Sequence, residues 1–450
     1  MQYPQYIDLK NTKIHWIPKQ PSNWDIKRLR FVLKVNPVKS AASKLDEDTM
    51  VSFVPMESVG ENGGMDVGLA RPISEVYSGY TYFTEGDTVV AKITPCFENG
   101  KGAISRNLEN GIGFGTTEFH VLKAGDGVDE SFQFYLTISH PFRDIGASEM
   151  FGAGGQKRIP EDFIKDFRIG IPPLDEQQKI ARFLDYKTRQ IDQLIEKKKA
   201  LIEKLDEQRI AVITQAVTKG VNGKAKMKPS GVEWLGDIPE HWKVEKLKYS
   251  IHMKGGGTPN TSTHEYWNGD IPWVSPKDMK SDLVSNTEDY ITELGLKNSS
   301  TTLVDEGELL MVVRSGILRH SIPVSIAGKQ VSLNQDMKAL ITDKNKLSPH
   351  FLKEIIWSNQ KSLLPFWSKP GCTVESIETE YMANTKIALP PINEQVEILE
   401  KIKDSVAPID KMVKLATKSI ELYTIYRSAL ITSAVTGKID VRNIRIPKGE

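Results

Sequence analysis

The sequence predicts an α+β chain: two mixed α/β domains in tandem, joined by two long helices that pair as a coiled coil, the whole written as an internal repeat. Three observations carry this. Trp16 and Trp24 recur as Trp234 and Trp242, Pro172–Gln177 (PPLDEQ) as Pro390–Gln395 (PPINEQ), and Ile213–Thr218 as Ile431–Thr436, every pair 218 residues apart. Between the last two anchors, apolar residues recur at heptad spacing, the mark of a helical seam. Between the tryptophans and the Pro-Pro stops, runs rich in β-branched and aromatic residues alternate with glycine clusters, the mark of strands and tight turns.

A period of 218 residues is far too long for a solenoid repeat, so each copy is a domain-sized unit. Insertions are confined to the interior: Glu85-Gly86-Asp87 resembles Glu306-Gly307-Glu308 at an offset of 221. Expected strands are Thr88–Ile93 and Thr117–Leu122 in the first copy, and Glu308–Val313 and Asp336–Leu340 in the second. The basic stretch from Lys219 to Ser230 reads as the linker between copies. Expected boundaries are 1–170 for the first variable domain, 171–220 for the central helical region, 221–388 for linker and second variable domain, and 389–450 for the distal helical region and tail.

Each helix starts after its Pro-Pro stop. Asp175 and Asn393 are N-cap types, and Glu176 and Glu394 suit the positive end of the dipole. The signature is therefore either a well-capped helix start or a contact for a partner. The seam runs through Ile191, Leu194, Leu201 and Leu205 in the central helix and Ile409, Met412, Tyr423 and Tyr426 in the distal one. Phe183, Ile195, Ile202, Val413 and Ile420 form a second stripe, more apolar surface than one helix pair need bury. Pro408 lacks an N–H, so the distal helix is expected to break, with a short piece ending near Ser405 and a long one from Pro408; by register, the central helix bends near Gln190. Long helices over 190–217 and 408–435, 28 residues each, would be about 42 Å long.

Composition excludes much. With 59 Lys+Arg against 58 Asp+Glu, the net charge is +1, and any nucleic-acid contact must come from local patches. The two cysteines, Cys96 and Cys372, are too few and too far apart for a disulfide framework or a zinc finger and fit a reducing cytoplasm. The opening residues lack a signal-peptide pattern, and no apolar run reaches spanning length, so a protein neither secreted nor membrane-spanning is expected.

Catalytic motifs are missing. No Gly-Lys pair has the glycine spacing of a phosphate-binding loop, which argues against nucleotide hydrolysis. The sequences IPPL and LPPI have aliphatic flanks, unlike the Pro-Pro tetrapeptide of adenine N6-methyltransferases, and Gly152-Ala153-Gly154-Gly155 has the wrong spacing for a dinucleotide loop. The eight histidines are scattered, without a nucleophilic or metal-binding arrangement. What remains is a candidate DNA-binding surface. Its residues are Lys92, Arg106, Gln156, Lys157 and Arg158 in the first domain and Lys277, Arg314, Arg319, Asn334 and Gln335 in the second. Guanidinium and ammonium groups suit phosphates, and amides suit base edges; the alternative for each is a solvated surface. Gly255–Pro259 with Tyr266, Trp267 and Trp273 reads either as a loop pressed on a nucleic-acid backbone or as a hydrophobic brace.

Taken together, WDIKRL, PPLDEQ, ITQAVTKG, WKVEKL, YWNGDIPWVSPKDM, PPINEQ and ITSAVTGKID resemble the DNA-specificity subunit of type I restriction–modification systems, over essentially the whole chain. The resemblance implies two target-recognition domains separated by two antiparallel coiled-coil helices in an internal pseudo-twofold repeat. It implies reading of a bipartite, asymmetric DNA target, with adenine methylation and restriction performed by partner subunits: modification subunits, two by the duplicated platform, and restriction subunits. S-adenosylmethionine, ATP and Mg are then expected only in those partners, with no cofactor or metal and no catalytic residue in this chain. The alternatives are a coiled-coil scaffold for protein interactions and a self-contained DNA-modifying enzyme.

Overall fold

The computed structural model describes residues 3–39, 42–369 and 374–447, and Cys372 lies outside them. The chain divides into two compact units, residues 1–199 with 417–450, and residues 200–416. Neither unit is one copy of the repeat. Each takes its sheets and the start of one long helix from its own copy, and the end of the second long helix from the other copy.

In the first unit, Asp25–Arg28 pairs antiparallel with Arg168–Ile171, closing the domain just before the helix. One four-stranded sheet runs Ala70–Pro72, Met50–Val54, Ile112–Gly115, Thr81–Thr84, with a parallel pair at its centre. The other runs Leu33–Val35, Phe119–Ala124, Thr88–Ala91, Gly102–Ile104 and is antiparallel throughout. Short helices, among them Glu130–Thr137 and Glu161–Asp166, pack around a core holding Phe97, Phe132, Phe142 and Phe183. In the second unit, Lys243–Lys246 pairs with Lys386–Leu389 in the same way, beside a five-stranded and a four-stranded sheet. The fold is α+β with mixed sheets, as expected. The strand expected at Thr88–Ile93 stops at Ala91, because the Lys92 N–H turns to the Glu118 carbonyl and Ile93 bridges to Arg158.

The Pro-Pro-x-x-Glu-Gln signature is an internal tie. Glu176 is 3% exposed; it accepts from Trp24 Nε1 at 2.9 Å, from the Tyr6 hydroxyl at 2.5 Å and from Asn23 Nδ2 at 2.8 Å. Gln177, fully buried, accepts from the Asp129 N–H and donates to the carbonyls of Gly127 and Pro172, each at 2.9 Å. In the second unit, Glu394 accepts from Trp242 Nε1 at 3.0 Å, and Gln395 bonds the Ser348 N–H and the carbonyls of Lys346 and Pro390. Each orphaned buried donor would cost about 1–3 kcal/mol. The other side of each tryptophan is closed by the other copy's helix end: Ile431, Ala434 and Val435 share a core with Trp24, and Ile213, Ala216 and Val217 share one with Trp242. Gly437 (φ +69°) and Gly220 (φ +73°) follow those ends, and a Cβ on Gly437 would sit 2.4 Å from Pro21 Cδ.

Both long helices are continuous, Leu174–Lys219 and Ile392–Val435, which corrects the expected break at Pro408 and the 28-residue length. Pro408 lies on the exposed face, so the carbonyl it cannot bond faces water. Ile402, Val406 and Ile409 are buried on either side of it and anchor both flanks of the helix.

The seam also differs from the expected one. Ile191, Leu205 and Ile409 are buried and Tyr423 half-buried, but Leu194, Leu201, Met412 and Tyr426 are 41–45% exposed. The alternate positions shift by one residue, to Ile195, Ile202 and Arg209 in the central helix and Val406, Val413, Ile420 and Arg427 in the distal one, all buried or half-buried. Most of the residues expected as surplus apolar surface are therefore the seam itself, and Phe183 is core. Two arginines occupy the true row. Arg427 Nε donates to Asp192 at 2.9 Å in the first unit, and Arg209 Nε lies 3.5 Å from Asp410 in the second. These are the same pair with the copies exchanged, the expected signature of antiparallel pairing, and the aliphatic stems of the arginines do the burying. Replacing Ile195 with Asp should therefore lower the stability of the chain by about 2–4 kcal/mol in denaturant unfolding, whereas Leu194→Asp should change it by about 0.5 kcal/mol or less. Equal losses would contradict the shifted seam.

Candidate nucleic-acid interface

In the first unit three loops converge at one end of the sheets. The loop after Thr88–Ala91 begins at Lys92, whose N–H donates to the Glu118 carbonyl at 2.8 Å and whose carbonyl accepts from the Ile159 N–H at 2.9 Å. The Thr94 N–H donates to the Lys157 carbonyl at 2.9 Å. Phe151 and Arg158 exchange backbone hydrogen bonds and present residues 152–157 as an exposed tip. Gly152, Gly154 and Gly155 have φ of +148°, +62° and +77°, and a Cβ on Gly152 would lie 2.4 Å from the Gln156 carbonyl oxygen, so the tip needs glycine there.

Lys92, Gln156, Lys157 and Arg158 thus come together. Arg106 does not: Gly102–Ile104 runs antiparallel to Thr88–Ala91, which carries Arg106 to the opposite end of the sheet, where it pairs with Glu130 at 2.5 Å. Residue spacing alone could not show that reversal. Arg158 is held by Glu118 through Nε at 3.0 Å and Nη2 at 2.8 Å, and this bond keeps the Glu118 carboxyl below its ordinary range. His120 is scaffold: burial pushes its imidazole down, and Nε2 lies 3.0 Å from the Ile159 carbonyl.

The second unit repeats the framework with different side chains. The Val313 N–H donates to the Asp336 carbonyl at 2.8 Å, the Ser315 N–H to the Glu375 carbonyl at 3.0 Å and the Ile377 N–H to the Val313 carbonyl at 2.8 Å. Arg314 Nε meets Asp336 at 2.5 Å, and Arg319 pairs with Glu375, whose carboxyl it holds down. Gln335 is exposed, and its carbonyl accepts from the Thr258 hydroxyl. Arg314, Arg319 and Gln335 therefore belong to one surface.

Asn334 does not reach it freely. It is 5% exposed, and its Oδ1 accepts from the Asp336 N–H at 3.0 Å, so it shapes the turn that presents Gln335. Lys277 sits just beyond the strand Trp267–Val274, locked between Asp289 and Glu288 at 3.0 Å each; those carboxylates hold its ammonium well above its ordinary value. The glycine run at 255–257 is a brace: a Cβ on Gly256 would lie 2.1 Å from the Asn334 carbonyl oxygen, and Trp273 Nε1 donates to the Gly257 carbonyl at 2.9 Å.

Sequence reasoning missed the acids. Glu118 and Asp336 stand 218 residues apart and each clamps an arginine, yet the arginine comes from a different loop in each unit. It also missed Phe151, 67% exposed at the base of the glycine tip and able to stack on a base. A clamped guanidinium keeps its outer N–H groups for a ligand while its position is set in advance.

The family profile described as the type I restriction modification DNA specificity domain matches twice, over residues 21–204 and 239–421. The chain belongs to this family. Both specificity domains begin just before Trp24 or Trp242 and include the helix start tied to it. The EcoR124I/EcoR124II specificity subunit of Escherichia coli is 38% identical over 206 residues, 44% of this chain and 48% of that protein. The E. coli EcoAI specificity subunit is 38% identical over 162 residues, 36% of this chain and 27% of that protein. The chain thus matches about half or less of the length of these relatives. A putative MjaX specificity subunit of Methanocaldococcus jannaschii is 23% identical over 98% of this chain and 99% of that protein. Among solved structures, a chain of a type I R-M system superposes with a TM-score of 0.72 at 14% identity, covering 93% of this chain and 99% of that one. The HsdS subunit from Thermoanaerobacter tengcongensis gives 0.50 at 15% identity, covering 93% and 98%. Both share the fold of the specificity-domain pair.

The clamps generate a prediction. Glu118→Gln frees Arg158 to meet phosphates without orientation, so non-specific DNA affinity should rise and the slope of log K against log salt should steepen by about one. Fluorescence anisotropy across a salt series measures both, and an unchanged slope would contradict the clamp.

Proposed function

We propose that this chain is the DNA-reading subunit of a type I restriction–modification system. It recognises a bipartite, asymmetric duplex target, one half with each specificity domain, and directs adenine methylation and restriction by partner subunits. The observation that carries this reading is the shared loop framework of the two units with unlike side chains on it: Gln156, Lys157 and Glu118-clamped Arg158 in one, Gln335, Asp336-clamped Arg314 and Arg319 in the other. One backbone scaffold with two sets of donors suits two different half-sites.

On this reading the chain itself is not catalytic. S-adenosylmethionine, ATP and Mg belong to the partners, two modification subunits and the restriction subunits, and the complex works in the cytoplasm. Among the described residues, no helix is long and apolar enough to cross a membrane.

Replacing residues 25–170 with those of a relative of different specificity tests the reading. Mapping methylated adenines in DNA exposed to the chain with its modification subunit should show one half-site changed, and the other half and the gap kept. A map with both halves altered would refute independent reading by the two domains.

A further inference from the structure

One cation of the first unit is buried behind the loops. The helix His140–Ser148 backs them closely: a Cβ on Gly146 would come within 2.5 Å of Phe97 Cζ and 2.7 Å of Ile159 Cδ1, so both loops press on that helix. Three residues earlier, Arg143 reaches into the loop that Lys92 opens. Its Nη1 donates to the Phe97 carbonyl at 2.6 Å, and its guanidinium lies 4.7 Å from the centre of the Phe97 ring. The same loop holds the glycine tip, because the Thr94 N–H and hydroxyl both donate to the Lys157 carbonyl, at 2.9 and 3.1 Å.

Arg143 is 6% exposed, and among the described residues no carboxylate pairs with it. Burial pulls its guanidinium down to about 9, so it is still a cation at neutral pH. Its Nε and Nη2 are buried without a hydrogen-bond partner among the described residues. An unpaired buried charge and orphaned N–H groups both oppose folding. The Phe97 carbonyl does not need this donor, since the Gly100 N–H also reaches it at 3.0 Å. Nor does the loop frame need a buried cation. In the second unit the elements follow in the same order, Pro349–Ser358 then Gln360–Trp367, and the latter helix buries Leu363 and Trp367 and no charge. A local rule broken where the scaffold can do without the break marks a functional position.

We propose that Arg143 is a positioning residue for the first half-site: it fixes the loop 92–101 against its helix and, through Thr94, the tip that carries Gln156 and Lys157. The proposal rests on the DNA reading given above. A planar guanidinium with one face on a ring and one N–H on a carbonyl holds that loop in both depth and direction. A loop packed on Phe97 alone keeps its depth but can slide, and hydrogen bonds to base edges are lost over a fraction of an ångström.

Arg143→Met tests it, because the side chain keeps its length and loses the charge. The full chain carrying it should unfold at the same or a higher denaturant concentration than wild type. With its modification subunit it should still methylate the mapped target, and duplexes with one changed base pair then separate the halves. In the half that replacement of residues 25–170 alters, the loss of methylation rate caused by a changed pair should shrink about tenfold; in the other half it should stay at the wild-type value. A merely structural role would move both halves together. Marked destabilisation of Arg143→Met, wild-type discrimination in the first half, or equal changes in both halves would each overturn the proposal. A wild-type complex that methylates no defined site would instead sink the functional reading, and the proposal with it.

Discussion

The structure depends on one hydrogen bond made twice, from a tryptophan indole to a glutamate in the first turn of a long helix. Trp24 and Trp242 are both fully buried, and an indole N–H that deep must find an acceptor. Glu176 and Glu394 supply it from a helix N-terminus, where a carboxylate is favoured by the dipole. The neighbouring glutamines bond the loops just ahead of Glu130–Thr137 and Pro349–Ser358, so each domain body is pinned to its helix at several backbone points. The far faces of the tryptophans are then covered by the helix end of the opposite copy. A duplicated chain in which each half needs the other's last helical turns keeps its anchors and is free to vary between them.

On the proposed reading, that freedom is where recognition resides. The strands that carry the loops are held by identical backbone bonds in the two units, so the loops start from equivalent positions. The units differ in side chains, in insertions and in the strands added at the sheet edges, one sheet of the second unit having five strands where those of the first have four. The acids at Glu118 and Asp336 limit what those side chains can do, because they hold arginines that would otherwise wander toward any phosphate. With a net charge of only +1, the protein has no strong long-range pull on a polyanion, so the proposed reading places the contacts on these fixed donors.

The repeat and the fold class were legible because they rest on spacing and on residue types with narrow conformational uses, and the helix starts to within one residue, since the helices begin at Leu174 and Ile392 and place Asp175 and Asn393 in the first turn instead of at the cap. The seam was misread at alternate positions, since Arg209 and Arg427 bury their stems and an apolar count cannot see them. Pro408 was misread because the neighbouring Val406 and Ile409 outweigh one lost backbone bond on a wet face. Four of five surface candidates in the first domain came together, and Arg106 did not, because a strand reversal separates residues that lie close in sequence. The clamping acids were invisible: a glutamate 40 residues from its arginine carries no local signal.

Completion of each unit by the other copy's helix end is the claim on which the rest stands. Gly437→Ala probes it, because the new methyl must enter a left-handed turn against Pro21 and Trp24. Native-state hydrogen exchange in this variant should show lost protection at the Trp24 indole and at the Asp25–Arg28 strand, with the Trp242 indole unchanged. Unchanged exchange at Trp24, or equal losses at both tryptophans, would contradict the account.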